Sequence, residues 1–101
     1  MGQFQRAAAV SEIPDGTGKT VTVNATEIAL FNVKGAFHAL NNTCPHSQGP
    51  LGDGTLQGNI VSCPWHGWRF DVTDGSCLQN RNAQVRTYRT KVEDDSVFVE
   101  F

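Results

Sequence analysis

Two short segments of the chain combine cysteine with histidine, and the fold and function are inferred outward from them. Residues 44–54 read CPHSQGPLGDG and residues 63–71 read CPWHGWRFD. Each segment supplies one thiol and one imidazole at close spacing, which is typical of metal ligands. The chain has only three cysteines and three histidines, so two mixed pairs are improbable by chance. We therefore predict a metal centre with four ligands: Cys44, His46, Cys63 and His66.

Ligand types alone leave two metals open at this centre. Two cysteines and two histidines satisfy a tetrahedral zinc ion, which would make the chain a zinc-stabilised interaction module. Structural zinc sites usually pair like residues locally, whereas both segments here are mixed. Mixed segments suit a [2Fe–2S] cluster in which one iron takes the two thiolates and the other takes the two imidazoles. The spacing favours the cluster over zinc.

The remainder of the chain shows short strand-like runs between turn signals. Alternating or apolar runs predict strands at residues 20–24, 27–33, 36–40, 59–62, 68–72, 85–92 and 96–101. Two hairpins are predicted, one through Lys34-Gly35 and one across Glu93-Asp94-Asp95. The predicted fold class is all-β, a sandwich or a partly open barrel. His38 is predicted to be a strand residue and Cys77 a buried thiol, since neither has a ligand-type neighbour.

Length and charge limit the domain count and the classes of partner. The chain has 101 residues, of which 39% are hydrophobic, so we expect residues 1–101 to form a single domain. A net charge of −2 is too small to direct the protein to nucleic acid or to an anionic membrane. The sequence contains no apolar run near the roughly 20 residues that span a bilayer and no secretory apolar region. We therefore expect a cytoplasmic protein.

The two segments and their flanks resemble the Rieske signature. The resemblance rests on Cys44-Pro45-His46, Gly49-Pro50-Leu51, Gly54, the whole of residues 63–71, and Gly75. It is strongest to the Rieske ferredoxins that serve bacterial ring-hydroxylating oxygenases. It implies a Rieske fold: two small antiparallel sheets as a base, plus a cluster-binding β subdomain with ligand loops at about residues 43–54 and 62–70. It also implies one [2Fe–2S] cluster, with Cys44 and Cys63 on the inner iron and His46 and His66 on the solvent-side iron.

The resemblance further implies an electron-transfer function in aromatic hydrocarbon catabolism. The protein would be a monomeric one-electron carrier, meeting an NADH-dependent flavoprotein reductase and a terminal oxygenase transiently. It would not itself be an enzyme, because its ligands leave no open coordination position and only His38 remains as a further histidine. The alternative is a small Rieske subunit bound permanently to an enzyme such as nitrite reductase.

Four positions in the ligand segments predict a low reduction potential. High-potential Rieske proteins carry an extra cysteine in each loop, where this chain has Gly49 and Trp65. They also use a serine and a tyrosine hydroxyl to hydrogen-bond the cluster sulfurs, where this chain has Trp68 and Phe70. Such hydrogen bonds stabilise the more negative reduced form. Without them we expect a potential of about −150 to −100 mV.

We also predict roles for the glycines of the two loops and for four apolar residues beside them. We expect four glycines to let backbone amides approach the cluster sulfurs: Gly49, Gly52, Gly54 and Gly67. We expect Trp65 to shield the cluster or to form a docking rim with Pro50, Leu51 and Pro64. Residues 78–84 contain no proline, unlike the covering loop that Rieske ferredoxins usually have.

Overall fold

The computed structural model describes residues 3–44, 49–65, 67–80 and 82–100. Within these ranges the chain forms ten β-strands, two 3-10 helices of one turn each, and no α-helix. The strands are β1 (Phe4–Ala9), β2 (Thr17–Val23), β3 (Thr26–Val33), β4 (Ala36–Asn41), β5 (Thr55–Gln57), β6 (Ile60–Ser62), β7 (Arg69–Asp71), β8 (Thr87–Tyr88), β9 (Thr90–Glu93) and β10 (Ser96–Glu100). The 3-10 helices are Val10–Glu12 and Leu51–Asp53. The predicted all-β class is confirmed.

The strands form three antiparallel sheets. One has the order β1-β10-β9, a second the order β2-β3-β4-β8, and a third the order β5-β6-β7. The first two sheets make up the base, and the third is formed by β5 and β6, which lie between the two cysteines along the chain, together with β7, which follows Cys63. This is the arrangement that the resemblance implied.

Tight turns with left-handed backbone connect the long strands. Both central residues of the β3–β4 turn have positive φ, 53° at Lys34 and 88° at Gly35. The β9–β10 turn has φ values of 52° at Asp94 and 62° at Asp95. Two consecutive positive φ angles match the right-handed twist of the flanking strands in a two-residue hairpin. Both predicted hairpins are confirmed.

Three strand assignments differ from the sequence prediction. No strand was predicted at β1, whose residues 7–9 are all alanine and whose partner β10 lies at the other end of the chain. β5 was also missed, because its three residues contain only one apolar side chain. The predicted strand at residues 85–92 is two strands, since β8 pairs with β4 and β9 pairs with β10. The chain crosses from one sheet to the other at Arg89, between β8 and β9.

β3 is the strand shared by two hydrophobic cores. Ile28 and Leu30 belong to the core between the two base sheets, whereas Ala29 and Phe31 belong to a second core. All four side chains are fully buried. Successive side chains of a strand point to opposite faces, so β3 is covered on both faces. The second core extends from β3 to the third sheet and contains these buried residues: Ala29, Phe31, Leu40, Cys44, Leu51, Val61, Cys63, Phe70, Val72, Cys77 and Val85.

In the described part of the chain, none of the helical segments has the length and apolar character needed to cross a bilayer.

Candidate metal centre

Cys44 and Cys63 each come soon after a strand. Cys44 comes shortly after β4, and its N–H donates a hydrogen bond to the carbonyl of Gly49 over 3.0 Å. Cys63 directly follows β6, and its N–H donates to the carbonyl of Trp68 over 2.7 Å. The backbone N–H of each cysteine is therefore hydrogen-bonded within its own segment, which fixes the backbone that carries each thiol.

Gly49 lies between the two cysteines. Its carbonyl accepts the Cys44 N–H, and a Cβ atom placed on Gly49 would lie 2.9 Å from the Cys63 Sγ atom. The same Cβ would lie 2.9 Å from Cγ of Trp65. Such distances are shorter than van der Waals contact, so only glycine allows the two loops to approach this closely. The structure thus brings the two predicted cysteine ligands to one place.

The two thiols are buried in an apolar environment. Cys44 is fully buried and Cys63 is 2% exposed, and neither forms a disulfide. Both belong to the second core, whose other members are aliphatic and aromatic except for Cys77. Two sulfur donors buried in one core fit the sulfur side of an iron–sulfur or zinc site, since both metals bind thiolates.

The two predicted histidine ligands, His46 and His66, lie outside the described residues. Among the residues that are described, no three Cys, His, Asp or Glu side chains come together as a metal site. The structure therefore brings together half of the predicted ligand set, and the two imidazole ligands stay predictions.

The family comparison decides between the two metals. The Rieske [2Fe–2S] domain matches residues 3–89, a range that includes both cysteine loops and β1–β8. The chain belongs to the Rieske [2Fe–2S] domain family. Its cofactor is a Rieske-type [2Fe–2S] cluster, and the buried sulfur pair described above fits that cluster.

Relatives of this Rieske protein include ferredoxins of dioxygenase systems. The ferredoxin component of a naphthalene 1,2-dioxygenase system from Pseudomonas aeruginosa is 39% identical over 95 residues, covering 93% of this chain and 91% of the relative. The biphenyl dioxygenase ferredoxin subunit of a Pseudomonas strain is 32% identical over 100 residues, or 97% and 92% of the two chains.

Solved structures with the same fold come from two kinds of system. A chain in the complex of reduced oxygenase and oxidized ferredoxin of carbazole 1,9a-dioxygenase has a TM-score of 0.86 at 30% identity, covering 95% of this chain and 91% of that chain. A putative NADH-dependent nitrite reductase small subunit from Mycobacterium tuberculosis has a TM-score of 0.91 at 26% identity, covering 100% and 96%.

The two tryptophans of the second ligand segment differ in exposure. Trp65 is 52% exposed, although it neighbours Gly49 at the base of the loop. Trp68 is partly buried and packs against the second core. The exposure of Trp65 is compatible with the predicted docking rim, whereas Leu51, also assigned to that rim, is fully buried. Leu51 is therefore a core residue and the rim assignment was wrong for it.

The two residues excluded as ligands lie where they were expected. His38 is in β4, opposite Phe31 of β3 in the base sheet. Cys77 is buried and forms an isolated bridge with Phe70, and its thiol lies 3.8 Å from Oε1 of Gln79. The predictions of a strand histidine and a buried thiol are confirmed.

Two further glycines of the first loop permit close packing on neighbouring strands, whereas the approach of backbone amides to the cluster sulfurs stays a prediction. A Cβ on Gly52 would clash with Thr20 of β2, at 2.6 Å from its backbone nitrogen. A Cβ on Gly54 would clash with the carbonyl oxygen of Ser62. These two glycines therefore let the loop lie directly on neighbouring strands.

The segment after the second ligand loop is held by side-chain amides instead of proline. The Gln79 side chain accepts a hydrogen bond from the Arg69 N–H over 3.0 Å, and the Leu78 N–H donates to the Arg69 carbonyl over 2.9 Å. Asn80 closes the following turn by accepting hydrogen bonds from Asn82 and Ala83. Nothing in the sequence pattern had indicated this attachment to β7.

Two carboxylates order the turn between β7 and Cys77: Asp71, whose Oδ1 accepts a hydrogen bond from the Thr73 N–H over 2.9 Å, and Asp74. Asp74 Oδ1 accepts hydrogen bonds from the Ser76 N–H over 2.9 Å and from its hydroxyl over 2.7 Å. These bonds stabilise the charged form, so the pKa of Asp74 lies below its usual range. The ionised carboxylate therefore helps to order the turn.

Proposed function

We propose that this protein is the Rieske ferredoxin of a ring-hydroxylating oxygenase system. In this role it takes single electrons from an NADH-dependent flavoprotein reductase and passes them to a terminal oxygenase. The observation that carries the proposal is the meeting of Cys44 and Cys63 across Gly49, in a chain whose relatives are ferredoxin components of dioxygenase systems. The protein is the electron-transfer component and the oxygenase is the catalyst.

Four residues hold the cluster in this proposal. Cys44 and Cys63 bind the inner iron, and His46 and His66 bind the outer iron. When bound, the cluster accepts and releases one electron, and its two neutral imidazole ligands keep the oxidised form uncharged and the reduced form at −1. The second core excludes water from the sulfur side, and the exposed Trp65 offers an apolar contact to the partner.

We further propose that residues 1–101 form one Rieske domain, with ligand loops at about residues 43–54 and 62–70. The second core supports this, because it joins β3 of the base to both cysteine loops. The proposed protein is a cytoplasmic monomer that meets its partners briefly and binds neither nucleic acid nor membrane, in line with a net charge of only −2.

A second candidate is a small Rieske subunit of a nitrite reductase. The solved small subunit from Mycobacterium tuberculosis, which covers the whole of this chain, favours it. A sizing column separates the two candidates when the protein is expressed from its native host. A free carrier elutes at its own mass of 11.0 kDa, whereas a bound subunit elutes with a larger enzyme.

Cysteine substitutions test the cluster assignment, and the chain offers a matched control. We expect Cys44→Ser and Cys63→Ser to lose iron, labile sulfide and visible absorbance. Cys77→Ser replaces a thiol of the same second core and should retain all three. In the wild type, the reduced protein should give an EPR signal, which a zinc protein would not. Cysteine variants that keep the full visible spectrum, or a wild type that contains zinc alone, would refute the proposal.

A further inference from the structure

The buried side chain of Asn42 connects the first ligand loop to the base. Asn42 precedes Cys44 by two positions and is 3% exposed. Its Oδ1 atom accepts a hydrogen bond from the Gly52 N–H over 2.8 Å and another from the Thr20 hydroxyl over 3.1 Å. Gly52 is at the far end of the loop and Thr20 is in β2. One oxygen atom therefore joins the start of the loop, its end and the edge strand of the base sheet.

The backbone of Asn42 makes two more connections of the same kind. Its carbonyl accepts the Leu51 N–H over 2.8 Å, and its N–H donates to the Glu27 carbonyl over 3.2 Å. Beyond it, Thr43 bridges Pro50 and the Cys44 N–H bonds to the Gly49 carbonyl. The two ends of the loop are thus paired from Asn42 outward as far as the cysteine.

The loop end that Asn42 holds is packed against β2 without any intervening space. A Cβ atom on Gly52 would lie 2.6 Å from the backbone nitrogen and 2.8 Å from Cα of Thr20. Backbone atoms of a paired strand cannot move aside to relieve such a contact, and Thr20 is paired with Ala29 of β3. This packing of Gly52 against Thr20, the loop seat, allows the loop a single position on the base. The Asn42 side chain holds the loop in that position by its hydrogen bonds to both residues.

We propose that Asn42 is a positioning residue for the cluster, acting through the seat of the first ligand loop on Thr20. The seat fixes the position of Gly49 relative to the second loop, and Gly49 in turn sets how closely Cys44 and Cys63 approach. This inference rests on the proposed cluster ligation by the two cysteines. It adds to that ligation a residue outside the predicted ligand set that determines how firmly the first cysteine is held.

Removal of the Oδ1 acceptor leaves the buried Gly52 N–H and the partly buried Thr20 hydroxyl without this partner. A buried donor without a partner favours states in which the loop lifts off the base and reaches water. Converted to populations, the loss of one such bond makes the open loop about five- to a hundredfold more populated. If cluster release proceeds through the open loop, the release rate rises by the same factor.

Two pairs of variants test the proposal. Asn42→Leu removes the acceptor at similar size, whereas Asn42→Asp keeps an oxygen at the same place. Thr20→Val removes the hydroxyl at constant shape, whereas Thr20→Ser keeps it. The measurements are the rate at which visible absorbance is lost to an iron chelator well below the unfolding temperature, the EPR spectrum of the reduced protein, and the unfolding temperature by circular dichroism.

We expect the chelator-dependent rate to rise about five- to a hundredfold in Asn42→Leu and less in Thr20→Val. Asn42→Asp and Thr20→Ser should stay close to the wild type, and the EPR line positions should shift in Asn42→Leu. If Asn42→Leu fails to fold, Thr20→Val supplies the decisive comparison. Equal release rates and EPR spectra within each pair, accompanied only by a lower unfolding temperature, would overturn the proposal in favour of a purely structural asparagine.

Amide exchange of Gly52 separates failure of this inference from failure of the proposed function. Exchange of the Gly52 N–H should be faster in Asn42→Leu than in Asn42→Asp, whether or not the protein carries iron. If the wild type lacks iron and sulfide, the proposed function fails while this result still tests the loop seat. If the wild type carries the cluster and Gly52 exchanges equally in both variants, the seat is refuted and the function stands.

Discussion

Replacement of Gly49 by alanine tests the closest approach between the two ligand loops. The new Cβ would lie 2.9 Å from both Cys63 Sγ and Trp65 Cγ, whereas carbon contacts are most favourable at about 3.5–4.0 Å. The overlap is therefore about 0.6 Å or more. Trp65 is 52% exposed, so its ring can rotate away. Cys63 is 2% exposed, and its backbone N–H is hydrogen-bonded to the Trp68 carbonyl. Since Cys63 cannot yield, the loops must separate.

Overpacking of this kind lowers the free energy of unfolding by about 1–3 kcal/mol. For a chain of this length, each 1 kcal/mol lowers the unfolding temperature by about 4–8 °C. For Gly49→Ala we expect circular dichroism to show an unfolding temperature lower by about 4–24 °C. We also expect visible absorbance to be lost faster to an iron chelator. The cluster should be released before the base sheets unfold, because the overlap lies between the ligand loops.

Two further variants identify which contact of the new Cβ atom causes the faster cluster release. Gly58→Ala is the control, since Gly58 has a φ of 60° and a Cβ added there would meet no atom within 4 Å, so that variant adds backbone strain alone. It should lower the unfolding temperature without changing cluster release. Trp65→Ala combined with Gly49→Ala removes the contact with the ring and leaves the contact with Cys63. If Gly49→Ala releases its cluster at the wild-type rate, the two loops do not meet at Gly49 and the reasoning is refuted.

Three other predictions follow from the same structure. With Trp68 and Phe70 in place of hydroxyl residues, redox titration should give a potential of about −150 to −100 mV, and a positive value would contradict this. Residues 43–54 and 62–70 carry only two charged side chains, Asp53 and Arg69, so the rate of electron transfer to the oxygenase should change little with ionic strength; a steep decline with salt would count against an apolar docking rim. The pKa of Asp74 is lowered in the folded state, so its contribution to stability is present above the ordinary aspartate pKa and is lost as the pH falls through the lowered one. Acid titration of the unfolding temperature should therefore be less steep in Asp74→Asn, and equal slopes would exclude this contribution.

The sequence predicted the parts of the molecule that depend on local chemistry. The pairs Cys44 with His46 and Cys63 with His66 could be predicted as ligands because the two residues of each pair are close in the chain. The hairpin at Lys34-Gly35 could be predicted because a two-residue turn needs residues that tolerate positive φ. Both inferences needed only a few adjacent residues.

The parts that the sequence did not predict depend on distant partners. β1 is a strand because it pairs with β10, and its own alanines show no alternation of polar and apolar residues. Residues 85–92 change sheets at Arg89, which depends on where β4 and β10 lie. The role of Asn42 required its oxygen to meet Thr20 and Gly52, and a polar residue before a cysteine gives no sign of that meeting.

Because both faces of β3 are buried, this strand limits which substitutions a carrier of this kind can accept. Ala29 and Phe31 support the metal-bearing half while Ile28 and Leu30 support the other half, so a bulkier side chain at any of these four positions disturbs one half or the other. Trp65 is 52% exposed and belongs to neither buried core. Adaptation to a different redox partner can therefore proceed by substitutions at exposed residues of the two cysteine segments, while β3 keeps its side-chain volumes unchanged.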